Sequence, residues 1–314
     1  MKDKHRIINE LKYVFSNALC EELELTRVEA PLFVLSDSGL QDELDGRQTS
    51  ISFKMSCGKQ AEIVHSLAKW KRLALKRYGY DVYEGILTDM KAIRTGEVLD
   101  ELHSYFVDQW DWEKVILCED RTIDFLKDNV KKIYSSVLST SFWMMSKGLE
   151  TPFLPNDIVF IDSEELLQRY PHLSSKQREY EICKQFGAVF IIGIGAKLSN
   201  GLIHDDRSPD YDDWSLNGDL LVYSKLLDQA VELSSMGIRV NEQSLMNQLK
   251  TSNTVNRMNK PYHQMILNQQ LPYTIGGGIG QSRLCMLLLQ KQHIGQVQCS
   301  TWDELTYDQF DDIL

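Results

Sequence analysis

Apolar side chains between residues 4 and 24 (Ile7, Ile8, Leu11, Val14, Phe15, Ala18, Leu19) recur at helical spacing with charges between them, which predicts an opening amphipathic helix. A short strand is expected at 26–30, where Pro31 ends its pairing, and a second at 62–66, before a helix over 67–78 that Gly79 closes. Residues 103–112 are rich in aromatic and β-branched types and read as a buried strand. The pattern then predicts a long helix at 120–147, a strand at 158–161, helices at 163–169 and 174–186, and a core strand at 187–194. Segments 216–223 and 226–233 read as antiparallel strands joined tightly through Ser224 and Lys225. Helices at 241–250 and 257–268, a glycine-rich strand and a helix at 280–291 complete the order. Strands scattered irregularly among helices predict an α+β fold, a central mainly antiparallel sheet flanked by helices, in one domain over 1–314 with no repeat and no linker.

Composition narrows the function. A chain of 314 residues, 43% hydrophobic and 25% charged, can bury a full core. Its apolar runs, such as 187–194, are too short to span a bilayer, and the start Met-Lys-Asp-Lys-His-Arg lacks the apolar stretch of a signal peptide, so a cytoplasmic protein with no membrane partner is expected. The six cysteines stand singly, which predicts reduced thiols and no zinc site. A net charge of -11 repels polyanions, and no nucleic-acid partner is expected. A local arginine cluster still suits a small anion.

The chemistry candidates are polar residues inside apolar elements. Residues 276–283 (Gly-Gly-Gly-Ile-Gly-Gln-Ser-Arg) carry glycines where a base or a polyphosphate would approach backbone, with Arg283 set to stack or to pair with phosphate. Upstream, Glu232-Leu-Ser-Ser-Met-Gly-Ile-Arg239 packs a carboxylate, hydroxyls and a guanidinium into a short apolar segment. In the aromatic strand, alternation puts Gln109 and Asp111 on one face. Asp111 there either pairs with a structural cation, caps a turn, or meets a ligand. Arg94 either reaches a phosphate or ends a surface hairpin with Glu97. In Lys69-Trp-Lys-Arg72, helical geometry turns Lys71 inward and leaves Lys69 and Arg72 to water. Residues 204–214 read as a solvated acidic loop in which Arg207 and Asp212 stand out. Gly193-Ile-Gly195 lacks the rest of a dinucleotide fingerprint, and the histidines show neither metal-binding spacing nor a nucleophile elbow nearby.

These strings, in this order, resemble the class II aminoacyl-tRNA synthetases: motif 1 at 4–31, motif 2 at 89–113 with Arg94 and Glu97, and motif 3 at 274–291 with Gly278-Ile-Gly-Gln-Ser-Arg283. Within that superfamily the chain is similar, over nearly its whole length, to the asparagine synthetase A family of ammonia-dependent enzymes. Gln41-Asp42, the 64–72 and 107–113 strings, Pro209-Asp-Tyr-Asp-Asp-Trp-Ser215, Leu216-Asn-Gly-Asp219, 232–240 and 274–284 carry the match. The resemblance implies a class II synthetase-like catalytic domain and a homodimer. It also implies a two-step reaction in which aspartate attacks ATP to give β-aspartyl-adenylate and pyrophosphate, and ammonia then displaces AMP.

By the same resemblance, Arg94, Glu97, Leu102, Asp219, Glu232, Gly278, Gly280 and Arg283 contact the nucleotide, and Asp219, Glu232 and Ser235 hold Mg2+. Ser66, Lys71, Gln109, Asp111, Arg207 and Arg239 bind aspartate. Arg94, Asp42 and Asp212 act in catalysis, the two carboxylates as candidate acceptors of the ammonia proton. Two departures from the family pattern are Ser208 before Pro209, where alanine is usual, and a short Trp214–Asp219 link. Two rivals remain: an aspartyl- or asparaginyl-tRNA synthetase-like core, and a non-catalytic adenylate- or amino-acid-binding regulator. A glutamine-dependent synthetase is disfavoured, because Lys2 stands where its nucleophilic cysteine would follow the initiator methionine.

Overall fold

In the computed structural model, which describes residues 2–44 and 49–314, the opening apolar period forms helix α1 (Lys2–Leu23), with Leu11, Phe15 and Leu19 fully buried. Strands β1 (Leu25–Arg27), β2 (Phe33–Leu35), β3 (Ser52–Lys54) and β4 (Gln60–Ile63) lead to α2 (Ala68–Tyr78), which Gly79 ends in the left-handed conformation. Long strands β5 (Gly85–Ile93) and β6 (Phe106–Val115) precede α3 (Ile123–Ser146), whose N-cap Thr122 accepts the Phe125 amide at 3.2 Å. Then follow β7 (Val159–Asp162), α4 (Ser163–Arg169), α5 (Ser175–Phe186) and β8 (Ala188–Ile192). The hairpin β9 (Asp212–Ser224) and β10 (Gln229–Arg239) is followed by α6 (Glu242–Thr251) and α7 (Pro261–Leu267). Strand β11 (Thr274–Gly280) runs directly into α8 (Gln281–Leu288), and α9 (Glu304–Gln309) comes last.

Eight strands form one sheet in the order β1-β5-β6-β11-β10-β9-β8-β7, and β2-β4-β3 form a small second sheet. The large sheet is mixed. Its central pairings are antiparallel, and parallel pairs β1/β5 and β7/β8 stand at its two edges, so the expected mainly antiparallel sheet is correct for the centre and not for the edges.

Alternation gives the two faces different fates. Trp110 and Trp112 of β6, Phe190 of β8, Leu220 of β9 and Ile279 of β11 join α1, α3 and α8 in one continuous apolar core. On the opposite face, α2, α6 and α7 cover one end of the sheet and α4 and α5 the other, each over its own apolar cluster. Between these covers the strands β6, β11, β10 and β9 present polar side chains. The sheet therefore has a dry back and a floor of charge open to the front.

Several expected bounds shift for local reasons. No span was expected for strand β5, where Gly85–Thr88 are buried in succession and alternation shows only from Thr88 to Ala92. The aromatic strand begins later, at Phe106, and reaches Val115, while the 216–233 hairpin extends to 212 and 239 and turns at 225–228. The 62–66 strand ends at Ile63, and 257–268 divides into a 3-10 turn (Val255–Asn259) and α7 at Pro261. Lys69 and Arg72 do not face water: both are buried, with Lys69 bonded to Asp210 and Arg72 to the carbonyls of Pro272 and Val240. Nor is 204–214 a solvated loop, since Asp210, Asp212 and Asp213 are all buried. Among the described residues no helix is long and apolar enough to cross a membrane.

Candidate active site

The polar floor opens into a cavity of about 420 Å³. Its wall contains every site candidate from the sequence: Asp42, Ser66, Lys71, Arg94, Glu97, Leu102, Gln109, Asp111, Arg207, Asp212, Asp219, Glu232, Ser235, Arg239, Gly278, Gly280 and Arg283. Residues spread from 42 to 283 converge because β6, β11, β10 and β9 are neighbours, and α2 lies across the end where Lys71 points down.

At the α2 end, cations and carboxylates interlock. Lys71 Nζ bonds Asp111 and also donates to the Gly277 carbonyl at 2.9 Å, so a buried lysine partners one side of the Asp111 carboxylate. Burial lowers the pKa of Lys71 against the pull of Asp111. Arg239 is gripped by Glu113, its NH2 lying 2.7 Å from Oε2 and its Nε 3.0 Å from Oε1, and its other face bonds Asp212. Arg207 bonds Asp219 and lies 3.8 Å from Asp212. Burial works against both guanidinium charges, but the paired carboxylates outweigh it and raise their pKa. Glu113, Arg239, Asp212, Arg207 and Asp219 thus form a chain of alternating charge along the floor. Glu113 was missed as a site-forming residue. Its signal was present, because the alternation that pairs Gln109 with Asp111 continues to Glu113.

At the other end, Ser235 Oγ donates to Asp219 at 2.6 Å and to Glu232 at 3.1 Å, so two carboxylates meet at one hydroxyl. Burial, opposed by Arg207 and reinforced by Glu232, pushes the Asp219 pKa up to about 6. Burial also disfavours the Glu232 charge, yet Arg283, Lys176 and Arg207 together hold its pKa below the ordinary value. Crowded hard oxygens of this kind suit Mg2+, which takes few protein ligands and leaves the rest of its shell to phosphate and water. Among the described residues no group of three or more His, Cys, Asp or Glu side chains forms a complete metal cage.

The arginines frame this end. Arg283 NH1 donates to the Glu232 carbonyl at 3.1 Å, and Arg94 NH2 lies 3.4 Å from the His65 carbonyl while its Nε is buried without an acceptor among the described residues. Asp42 receives the Leu44 amide on Oδ1 at 2.9 Å, and its Oδ2 is buried with no partner among the described residues.

The glycines at 276 and 278 meet a steric need within the strand pair itself. A Cβ at Gly276 would lie 2.0 Å from Glu113 Oε2, and one at Gly278 would lie 2.4 Å from Gln109 Oε1. They admit the protein's own polar side chains across the strand pair, in register with Glu113 and Asp111. At Gly280 a Cβ would meet only the Arg283 side chain, at 3.3 Å.

Comparison with known proteins now adds to this geometry. The family model described as aspartate–ammonia ligase matches residues 2–313. The chain belongs to the aspartate–ammonia ligase family. Relatives carrying that name include one from Clostridium perfringens (strain 13 / Type A), 57% identical over 97% of this chain and 91% of its own length. Another, from Levilactobacillus brevis, is 49% identical over 98% of this chain and 93% of its own. Among solved structures, asparaginyl-tRNA synthetase from Pyrococcus horikoshii complexed with asparaginyl-adenylate superposes with a TM-score of 0.69 at 15% identity, over 94% of this chain and 68% of that one. Aspartyl-tRNA synthetase from Entamoeba histolytica gives a TM-score of 0.63 at 13% identity, over 95% of this chain and 58% of that one. The family fold is therefore the class II aminoacyl-tRNA synthetase fold.

Proposed function

We propose that this chain is an aspartate–ammonia ligase that makes asparagine from aspartate, ammonia and ATP, releasing AMP and pyrophosphate, with the whole reaction carried by one catalytic domain. The observation that carries this reading is the division of a single cavity, in a chain of this family, into a cation-rich end sized for a small dianion and an arginine-framed end beside paired carboxylates. Lys71, Arg207 and Arg239 attract aspartate's carboxylates, each held in place by its own acidic partner. Asp42, Gln109 and Asp111 face the substrate ammonium, and Ser66 lies close by.

The first step brings the β-carboxylate of aspartate onto the α-phosphorus of ATP. Two anions approach one another only beside cations, and Arg94 and Arg283 supply them along the phosphates. Glu97, Leu102, Gly278 and Gly280 line the nucleotide's path. Asp219, Glu232 and Ser235 hold Mg2+, which neutralises phosphate charge when bound. Ammonia then attacks the acyl carbon of the β-aspartyl-adenylate, AMP departs, and a carboxylate, Asp42 or Asp212, takes the surplus proton. No protein nucleophile is required. Two copies pair through the α1–β1 segment to form a homodimer, as in the motif 1 resemblance; α1 exposes Tyr13 to such a contact.

Purified protein given ATP, Mg2+, aspartate and ammonium is expected to form asparagine, AMP and pyrophosphate without any tRNA. ADP in place of AMP would defeat the adenylate step, and synthesis that needed tRNA would favour the synthetase-like reading that the shared fold keeps in view.

A further inference from the structure

Lys176, in the first turn of α5, takes no part in the scheme above, yet it forms part of the cavity wall. Cations are disfavoured beside the positive end of a helix, so nothing in the helix itself selects a lysine there. Its side chain is 65% exposed, and its Nζ lies 2.9 Å from Asp205 Oδ2 and 3.1 Å from Glu179 Oε2. Asp205 lines the same cavity. Partial burial works against the Lys176 charge, but Glu179, Asp205 and Glu232 outweigh it and keep the ammonium protonated. Burial likewise disfavours the Glu232 charge, and Lys176 acts with Arg283 and Arg207 to favour it. Cations from α5 and α8 thus converge on one carboxylate of β10.

The cations on this wall differ in freedom. Lys71, Arg207 and Arg239 have side chains at most 7% exposed, each locked to a carboxylate, and cannot follow a ligand. Lys176 has a flexible stem and an exposed ion pair, which holds weakly, so a stronger anion draws its ammonium away at little cost. Position along the strands says which anion. Glu232 stands seven residues before Arg239 on β10, roughly 20 Å of extended chain. Lys176 therefore works at the end of the floor that holds Glu232, Ser235 and Asp219, away from the Arg239 end proposed for aspartate. Arg94, bonded to the carbonyl that precedes Ser66, stands nearer the meeting point of aspartate and the α-phosphate. We propose that Lys176 binds the β- and γ-phosphates of ATP, the part that leaves as pyrophosphate. The aspartate oxygen bonds to the α-phosphorus, the bond from that phosphorus to the bridging oxygen breaks, and its electron pair departs on pyrophosphate. Lys176 offsets that charge as an ammonium throughout, with no proton transfer. The inference rests on the nucleotide site proposed above and adds to it a residue for the leaving group.

The test measures ATP and AMP dissociation constants by calorimetry at saturating Mg2+ in the parent protein, Lys176→Ala and Lys176→Arg. AMP has no β- or γ-phosphate and serves as the internal reference. Lys176→Ala is expected to weaken ATP by about 10- to 100-fold, the worth of a charge-assisted hydrogen bond, and to leave AMP and the aspartate KM in place. Lys176→Arg keeps the charge and is expected to recover most of the loss. Because the preference for ATP over AMP is taken within one protein, a loss of folded fraction does not move it. The sign separates a direct contact from one relayed through Glu232. Removing a cation beside that carboxylate favours Mg2+, so a relayed effect leaves ATP binding equal or tighter. A preference for ATP in Lys176→Ala equal to or above the parent's overturns the proposal and confines Lys176 to its ion pairs with Glu179 and Asp205. If the parent protein binds neither ATP nor AMP, the proposed function fails as well, a result distinct from nucleotide binding that ignores residue 176.

Discussion

Arg239 shows how much of this site is decided one residue at a time. Its guanidinium is fully spanned by Glu113 and Asp212, so its position is set before any substrate arrives. Glu113→Gln keeps the shape and removes the charge, leaving Arg239 without its principal buried partner. The expected cost is on the order of 3 kcal/mol in stability. The aspartate KM is expected to rise well beyond any change in the ATP KM, and a urea titration with paired steady-state kinetics reads both. An aspartate KM that stays put would show that Glu113 does not position the amino-acid site. Asp42 offers a second case, since its Oδ2 is buried with no partner among the described residues. Asp42→Asn is expected to slow amidation at saturating substrates by about 100-fold, the usual worth of a positioned base, while ATP–pyrophosphate exchange suffers less. Full amidation by that variant would remove Asp42 from the proton step. The sequence made Lys71 legible through helical geometry, and Gln109 and Asp111 through alternation. The same alternation marks the face on which Glu113 lies, but its grip on Arg239, distant in sequence, declares itself only in the fold.

Elements were legible where one face is wet. Helices α1, α3, α5 and α6 lie close to their expected spans, because amphipathic spacing records which side is buried. Strand β5 and the parallel edges were not, since the buried first half of β5 leaves only a short alternating stretch and edge pairing is a tertiary choice. Strand β11 has a consequence of its own. Gly276 and Gly278 are needed by the cross-strand neighbours Glu113 and Gln109, whatever else approaches the strand. Gly276→Ala would drive a methyl into a fully buried carboxylate that holds Arg239, so a loss of about 2 kcal/mol or more and a raised aspartate KM are expected. Gly280→Ala meets only the flexible Arg283 side chain and is expected to spare stability while raising the ATP KM. Thermal melts together with the two KM values separate these outcomes. Equal effects from both substitutions would mean that the strand merely requires flexibility along its whole length.

At the scale of the molecule, one buried cluster ties together the elements that cover one end of the sheet. Asp210 meets Lys69 of α2 at 2.8 Å, Arg257 at 3.2 Å and His263 of α7 at 2.9 Å, and Lys69 also donates to the Gln41 carbonyl at 2.9 Å. The segment bearing Asp42 thus hangs from the same cluster. Burial alone would raise the Asp210 pKa, but Lys69, His263 and Arg257 outweigh it and hold it well below 3.8. The unfolded chain therefore takes up that proton first on acidification. The contribution of Asp210 is complete above pH about 4 and is lost as pH falls toward the folded-state value. Burial lowers the His263 pKa from 6.5, against Asp210 and with Lys69 and Lys260 adding to the effect. Here too the unfolded chain binds the proton first, so stability also declines as pH drops through about 6.5 and below. The two groups act with the same sign in successive windows, His263 below about pH 6.5 and Asp210 below about pH 4, so the urea midpoint is expected to fall on acidification and to go on falling past pH 4. Asp210→Asn leaves Lys69 and Arg257 buried without their carboxylate, at a cost of about 3–5 kcal/mol near neutrality. Below the unfolded-state pKa the parent loses the same interaction, so the two proteins' midpoints are expected to converge in acid. Urea titrations of both, carried from neutrality to about two units below the unfolded-state carboxylate pKa, decide the matter: a gap that stays constant into acid would mean that Asp210 contributes shape and not charge, and that this cover is held by packing alone.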